Sequence, residues 1–375
     1  MSTSHYPNGD AAAVRQHMLA KLLMSNDYSV SIVGINSEPK IVDGEYDSVK
    51  YTIFPNNQLY LKKYLISYLN KLDQKPDVIF LNGLPMPAFI YIKNYALDYN
   101  ILLFHDCVEW YSYEQWRGFW YFDVLMFIVY IQKNIMNRLI LNRAFSIISI
   151  SSYLHDYFTK KNLSSLLLPV IMDKDQFNNL FPQSNNKLRI IYAGSPLRKD
   201  YLMEIIQGLL CLDLAERDNI EFTIIGLDYQ NLSKICDLSV NELFELKCIQ
   251  VLGKIPRIKV LEHLNCCDFS ILIRSSTARY AKAGFPTKVV ESLMSSTPVI
   301  CNMTSDLGMY LKDGYDCIEV TDETPDAIVK ALRRALALTP EQKDQMKKNA
   351  RKTAEENFDY RLYIEEFGKF IKNES

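Results

Sequence analysis

Short runs rich in Val, Ile, Phe and Tyr alternate with helical patterns almost from end to end of this chain, and that alternation leaves few folds open to it. Strands read as "YSVSIVGIN", "VKYTIF", "DVIFLNG", "ILLFHD" and "FSIISIS", separated by helical stretches such as "AAAVRQHMLAKLLMSN", "LYLKKYLISYLNKL", a long one near 119–143, and "YLHDYFTKK". The order implies parallel sheets flanked by helices. At "LLLPVIMDKDQFNNLFPQSNNK" Pro, Asn, Gln and Ser accumulate and the rhythm stops. It restarts with "LRIIYAGS", "EFTIIGL", "IQVLGKI", "DFSILIR" and "TPVICN". A chain of 375 residues exceeds the size at which one core keeps growing, so two domains are expected. These are 1–170 and 171–356, with the closing amphipathic helix, about 357–375, packing back on the first. Two doubly wound sheets in tandem place a ligand in the cleft between them, beyond the carboxyl ends of the strands.

A formal net charge of −2 gives no electrostatic case for nucleic acid as a partner. The eight cysteines include no CxxC pair and no zinc spacing, and several sit in apolar runs such as "LNCCDFSILI". They read as reduced core thiols of a cytosolic protein. No signal peptide and no apolar run of the ~20 residues needed for a membrane span are visible, which points to the cytoplasm.

The most informative stretch is "AGFPTKVVESLMSSTPVI", residues 283–300. Pro286 suits the first turn of a short helix that ends near Met294, before Ser295, Ser296, Thr297 and Pro298. Thr287, Lys288 and Glu291 share one face at its amino end, where unpaired N–H groups favour an anion. One reading is a cradle for a nucleotide diphosphate with a ribose diol beside Glu291. The other is a solvated Lys288–Glu291 ion pair worth ~0–1 kcal/mol.

This stretch resembles the carboxyl-terminal signature of glycosyltransferase family 4 (group 1), the retaining sugar-nucleotide transferases of the GT-B fold, in which two Rossmann-like doubly wound domains face each other across a cleft. "ESLMSSTPVI" matches the second half of the family's paired-Glu pattern, and "DLGMYLKDGYDCIEV" the segment after it, with Asp313 and Gly314 in place. "RIIYAGSPLRKDYLMEIIQGL" is similar to the family's strand, basic loop and helix, "VIMDKDQF" to its interdomain segment, and "PNGDAAAVRQHMLAKLL" to its amino-terminal loop. The resemblance implies that Gly9 lies in a donor-facing loop and that Phe285, Pro286, Thr287 and Lys288 line the donor site. It implies Glu291 on the ribose hydroxyls, Lys199 with Arg198 on the diphosphate, and main-chain groups of Gly253, Lys254 and Ile255 at the base. His105, ending "ILLFH", matches a histidine near the reacting sugar; Lys199 and His105 are thus the candidate catalytic residues, joined by Arg274.

Three departures stand out. Ala283 replaces the first Glu of the pair, and Ser195 replaces the usual arginine of the phosphate loop. Only "MSTSHY" is left for a first strand, through a truncated start or a very short strand. Arg274 is the candidate to compensate for the missing Glu; its alternative is a rim salt bridge.

Transfer from a nucleotide diphosphate needs fixed positive charge at the leaving phosphate, here from Lys199, Arg198 and the Thr287–Lys288 helix start. The resemblance implies retention of configuration and no metal or other cofactor. "DKD" at 173–175 has a DxD spacing used elsewhere for manganese, but it falls in the interdomain segment. Trp110, Trp116 and Trp120 fall within eleven residues, the last of them inside "GFWYFDVLMFIVYIQKNIMNRLILNR". Residues 116–143 read as a buried helix, a partner face, or an interfacial helix with Lys133, Arg138 and Arg143 toward anionic lipid at the inner face of the plasma membrane. The last reading suits a lipid-linked or glycan acceptor in bacterial surface polysaccharide biosynthesis. The rivals are a non-catalytic transferase-like subunit that binds a nucleotide or partner protein, and an epimerase of the same fold.

Overall fold

The structure, a computed structural model, describes residues 1–2, 4, 6–7, 10–36, 40–55, 58–112, 120–177, 187–196 and 199–374. The chain divides into two compact units. Unit 1 is Met1–Met172 with the segment from Tyr360 onward; unit 2 is Asp173–Asp359. The divisions therefore fall two and three residues later than those expected at 170 and 356.

Unit 1 contains β1 (Ser31–Asn36), β2 (Val42–Tyr46), β3 (Val49–Pro55), β4 (Val78–Leu81), β5 (Leu102–Cys107), β6 (Ser146–Ser149) and β7 (Ser165–Leu167). β4, β5, β6 and β7 lie side by side in chain order, all parallel. Phe104, Ile147 and Ile148 are fully buried, as continuous apolar strands of a parallel sheet require. A three-stranded sheet, β1-β3-β2, joins a parallel to an antiparallel pair. The β2–β3 hairpin closes through Asp47 and Ser48, at φ 47° and 64°, the left-handed pair that matches the twist of the flanking strands. β2 gave little sequence signal because "VDGEY" is a mostly exposed strand. The opening residues lie between the two sheets: Ser2 donates to the Val33 carbonyl (2.9 Å) and bridges to Asn82.

The helix Ala11–Met24 packs Leu22 and Met18 into a core with Phe104, Ile148 and Leu168. Its Arg15 chelates Asp106 (2.8 and 2.9 Å) and donates to the Pro169 and Leu168 carbonyls, so this buried pair is fully hydrogen-bonded. The closing helix Ile364–Glu374 adds Phe367 and Ile371 to the same core, and Asn26 donates to the Ile364 carbonyl (3.0 Å).

Unit 2 is a six-stranded parallel sheet of β8 (Leu188–Ala193), β9 (Ile220–Ile225), β10 (Ile249–Gly253), β11 (Phe269–Leu272), β12 (Val299–Cys301) and β13 (Cys317–Glu319). Their order is β10-β9-β8-β11-β12-β13. This is the 3-2-1-4-5-6 order of a doubly wound sheet, and the chain reverses its direction of travel between β8 and β11. The crevice outside the carboxyl ends of these two strands is where such sheets bind ligands.

Candidate functional site

The reversal point brings together four polar side chains. β8 carries Tyr192 near its end, and the loop after it turns back so that Asp200 forms a backbone bridge with Arg274, just beyond β11. The Asp200 side chain is 1% exposed. It accepts from Arg274 Nε (2.8 Å), Lys288 Nζ (2.5 Å) and the Tyr192 hydroxyl (2.7 Å). Lys288 also donates to the Tyr192 hydroxyl (3.0 Å) and lies 4.6 Å from that ring's centre. Asn302 fixes the Arg274 main chain, accepting from its N–H (3.0 Å) and donating to its carbonyl (2.6 Å). Burial pushes the Asp200 carboxyl up, but Lys288, Arg274 and Tyr192 outweigh it and hold the group at about 2. Burial draws the Lys288 ammonium below its ordinary value; Asp200 opposes this, while Arg274 and Lys199 add to it.

Bare backbone surrounds these charges. Gly194, Gly226 and Gly253 follow or end β8, β9 and β10 at φ +139°, +104° and +69°. Gly194 donates to the Ile225 carbonyl (2.9 Å) and Gly226 to the Gly253 carbonyl (2.7 Å). A Cβ at Gly194 would lie 2.3 Å from Lys288 Cε, and one at Gly226 2.4 Å from the Gly194 oxygen. Only glycine lets the lysine stem cross the end of β8 there.

The helix of the signature runs Thr287–Met294, with Pro286 just outside it as N-cap instead of in its first turn. Val289, Val290, Leu293 and Met294 are buried, while Thr287, Lys288 and Glu291 are half-exposed. Lys288 does not pair with Glu291: its partner is Asp200, and Glu291 accepts from Arg257 Nε (2.9 Å). Arg257 opens the helix Arg257–Cys266 after "GKIP", so Glu291 ties the signature helix to that turn.

The other anticipated residues lie as follows. Phe285 is 5% exposed and packs its ring edge-on to Tyr310 and Phe358. Ala283 is fully buried. Ser195 is exposed, Lys199 half-buried, Lys254 exposed and Ile255 half-buried. Lys199 is near enough to Lys288 to act on its charge, and its carbonyl accepts from the Tyr280 hydroxyl (3.0 Å). Gly9 and Arg198 lie outside the described residues. His105 does not end a strand: β5 continues to Cys107, and the ring is 3% exposed, edge-on to Phe89. Burial, with Lys133 nearby, lowers it to about 3, so it is neutral, and its Nδ1 has no hydrogen-bond partner among the described residues. Asp173 of "DKD" caps the turn Lys174–Gln176 by accepting from Asp175 N–H. Among the described residues no group of three His, Cys, Asp or Glu side chains could hold a metal ion.

Asp200, Tyr192, Asn302 and Arg257 were not foreseen. Asp200 reads locally as the tail of a solvated basic turn, and its two cations lie 74 and 88 residues along the chain.

Residues 173–353 match the family model of the glycosyl transferases group 1. The chain matches none of the curated proteins. Among solved structures, sucrose-phosphate synthase from Thermosynechococcus elongatus superposes with a TM-score of 0.71 at 12% identity, covering 97% of this chain and 94% of that one. WaaG, a glycosyltransferase involved in lipopolysaccharide biosynthesis, gives 0.69 at 14% identity, covering 98% of each chain. HepE of Anabaena, in complex with UDP and glucose, gives 0.65 at 14% identity, covering 99% of this chain and 98% of that one. At these identities the likeness shows the fold, which is GT-B.

Proposed function

We propose that this chain, whose second unit carries the group 1 glycosyl transferase match, is a retaining glycosyltransferase that moves a sugar from a nucleotide diphosphate to a glycan or lipid-linked acceptor. The observation that carries the reading is the Lys288–Arg274 pair at the reversal point of the unit 2 sheet. A diphosphate carries its charge where the bond to the sugar breaks, and preorganised cations there stabilise the developing anion. Lys288, Arg274 and Lys199 are assigned to the diphosphate, Glu291 to the ribose hydroxyls, and the main chain around Gly253–Ile255 to the base. These protein cations do the neutralising work, so no metal is required. HepE of Anabaena has been solved with UDP-glucose, which makes UDP-glucose the first donor to try. The acceptor assignment, with a role in bacterial surface polysaccharide assembly at the inner face of the plasma membrane, draws on the exposed apolar stripe of the helix Trp120–Ile135.

The buried Ala283 and the exposed Ser195, where the family carries charged groups, favour a second reading. In it the chain is a subunit that binds a nucleotide without turnover. One experiment separates the two. Melting curves with UDP-, GDP-, ADP- and dTDP-sugars should show one base raising the midpoint by mass action, and the matching sugar should then be transferred or hydrolysed. Stabilisation without turnover on any acceptor supports the subunit; no stabilisation by any of the four ends both readings.

A further inference from the structure

We propose that Asp200 is the positioning residue of this site: its buried carboxylate fixes the Lys288 ammonium and the Arg274 guanidinium side by side, so that their unspent N–H groups form one seat for a diphosphate. The inference rests on the donor reading above and adds the residue that makes the seat possible.

The hydrogen-bond inventory supports it. An ammonium has three N–H groups and a guanidinium five. Lys288 commits one to Asp200 and one to Tyr192, leaving a third. Arg274 commits Nε to Asp200, and among the described residues its terminal nitrogens make no hydrogen bond. Its backbone is clamped by Asn302, so the guanidinium has a fixed origin as well as a fixed partner. Asp200 itself is almost completely covered, and takes bonds from three directions. It therefore acts through the two cations and not on a ligand directly.

Charge explains why a carboxylate is needed. Lys288 is faced by Tyr192 from β8, by Lys199 and Asp200 from the loop after β8, and by Arg274 from the end of β11. Two of these four are cations that repel it, and burial acts in the same direction. Among these four Asp200 is the one charge opposing them, helped by the Tyr192 hydroxyl, which accepts a hydrogen bond from the ammonium. With Asp200, two positive charges are held side by side before any ligand arrives. Without it, the Lys288 pKa falls further, and the seat loses its charge as pH rises through that lower value.

The test follows Lys288 itself. Acetic anhydride labelling of the full-length protein, read at Lys288 by mass spectrometry from neutrality to about pH 10, reports its titration. Calorimetry with UDP and with inorganic pyrophosphate over the same range reports the seat. In Asp200→Asn, Lys288 should become reactive at least about one pH unit below the wild type, and affinity for both anions should fall about tenfold on the alkaline side. Asp200→Glu should restore part of both. A purely structural role would lower the melting temperature without moving the Lys288 profile. Should Asp200→Asn fail to fold, Tyr192→Phe, which removes one hydroxyl from the same cluster, should shift the profile in the same direction by less. An unchanged Lys288 profile in the folded variant overturns the role of Asp200 alone. A wild type that binds neither UDP nor pyrophosphate overturns the seat and the donor reading together.

Discussion

Gly194 has no room for a side chain, because the Lys288 stem occupies the place a Cβ would take. Gly194→Ala must therefore push the lysine off its line to Asp200 and Tyr192, and must also force a φ of +139° on a residue that resists it. The expected result is a donor KM raised about tenfold or more, as the loss of one charge-assisted contact implies. Combined with Lys288→Ala, the glycine substitution should add little further loss, because both remove the same interaction. Additive losses, or an unaltered KM in Gly194→Ala, would show that the lysine does not depend on this crossing. The same scale shows where sequence reading reached its limit. Lys288, Glu291 and Arg274 could be singled out from a local pattern and a family resemblance. Asp200 could not, because a buried carboxylate is defined by cations supplied from other strands, and nothing within "LRKDYL" announces them. His105 shows a different limit: "ILLFH" reads as a strand ending at the histidine, while β5 continues to Cys107 and buries the ring.

The helix Trp120–Ile135 presents apolar side chains to solvent in its described half. Phe127, Ile128 and Ile131 are 42%, 45% and 39% exposed at helical spacing, and Leu139, in the π-helical turn Met136–Ile140 that follows, is 74% exposed. Arg138 and Arg143 are exposed beside them. Trp110 is 2% exposed and donates from Nε1 to Asn134 (3.1 Å), and Lys133 is half-buried near His105 and Cys107. Trp116 lies outside the described residues. Among the described residues no helix is long and apolar enough to cross a membrane. Co-sedimentation with phosphatidylglycerol vesicles should capture the wild type, and a Phe127→Ser/Ile131→Ser pair should weaken capture at least about tenfold, given ~1.5–3 kcal/mol for each buried apolar side chain. Equal capture of both proteins, or none of either, removes the membrane from the proposal. Element order was readable in advance where strands carry a short apolar core, as in β5, β6, β8 and β11. It was not for β2, whose polar residues face solvent along most of the strand.

On the scale of the whole molecule, unit 1 is built from both ends of the chain. The segment from Tyr360 starts with a hydrogen bond from the Tyr360 N–H to the Met172 carbonyl (2.9 Å), and ends with Glu374 accepting from Ser146 (2.5 Å). Between them Phe367 is fully buried and stacks on Phe80 at 6.0 Å, in the cluster that holds Phe104, Leu22 and Ile148. The amphipathic pattern of "RLYIEEFGKFIKN" pointed to a helix packing back on the first domain, but not to the side chains it meets there, because Phe80 and Phe104 are far away in sequence. Phe367→Ala deletes a large ring from a closed core, a change that typically costs about 3–5 kcal/mol. For a unit of this size the loss lowers the melting midpoint by on the order of 10 °C. Where the loss is felt is the sharper measurement. Hydrogen exchange followed along the chain should accelerate in β4, β5 and β6 while the amides of β8, β9 and β11 keep their protection, because the closing helix belongs to the core of the first sheet. Faster exchange confined to β8–β13 would mean that the last segment stabilises the second unit instead, and the assignment of the chain's two ends to one core would be wrong.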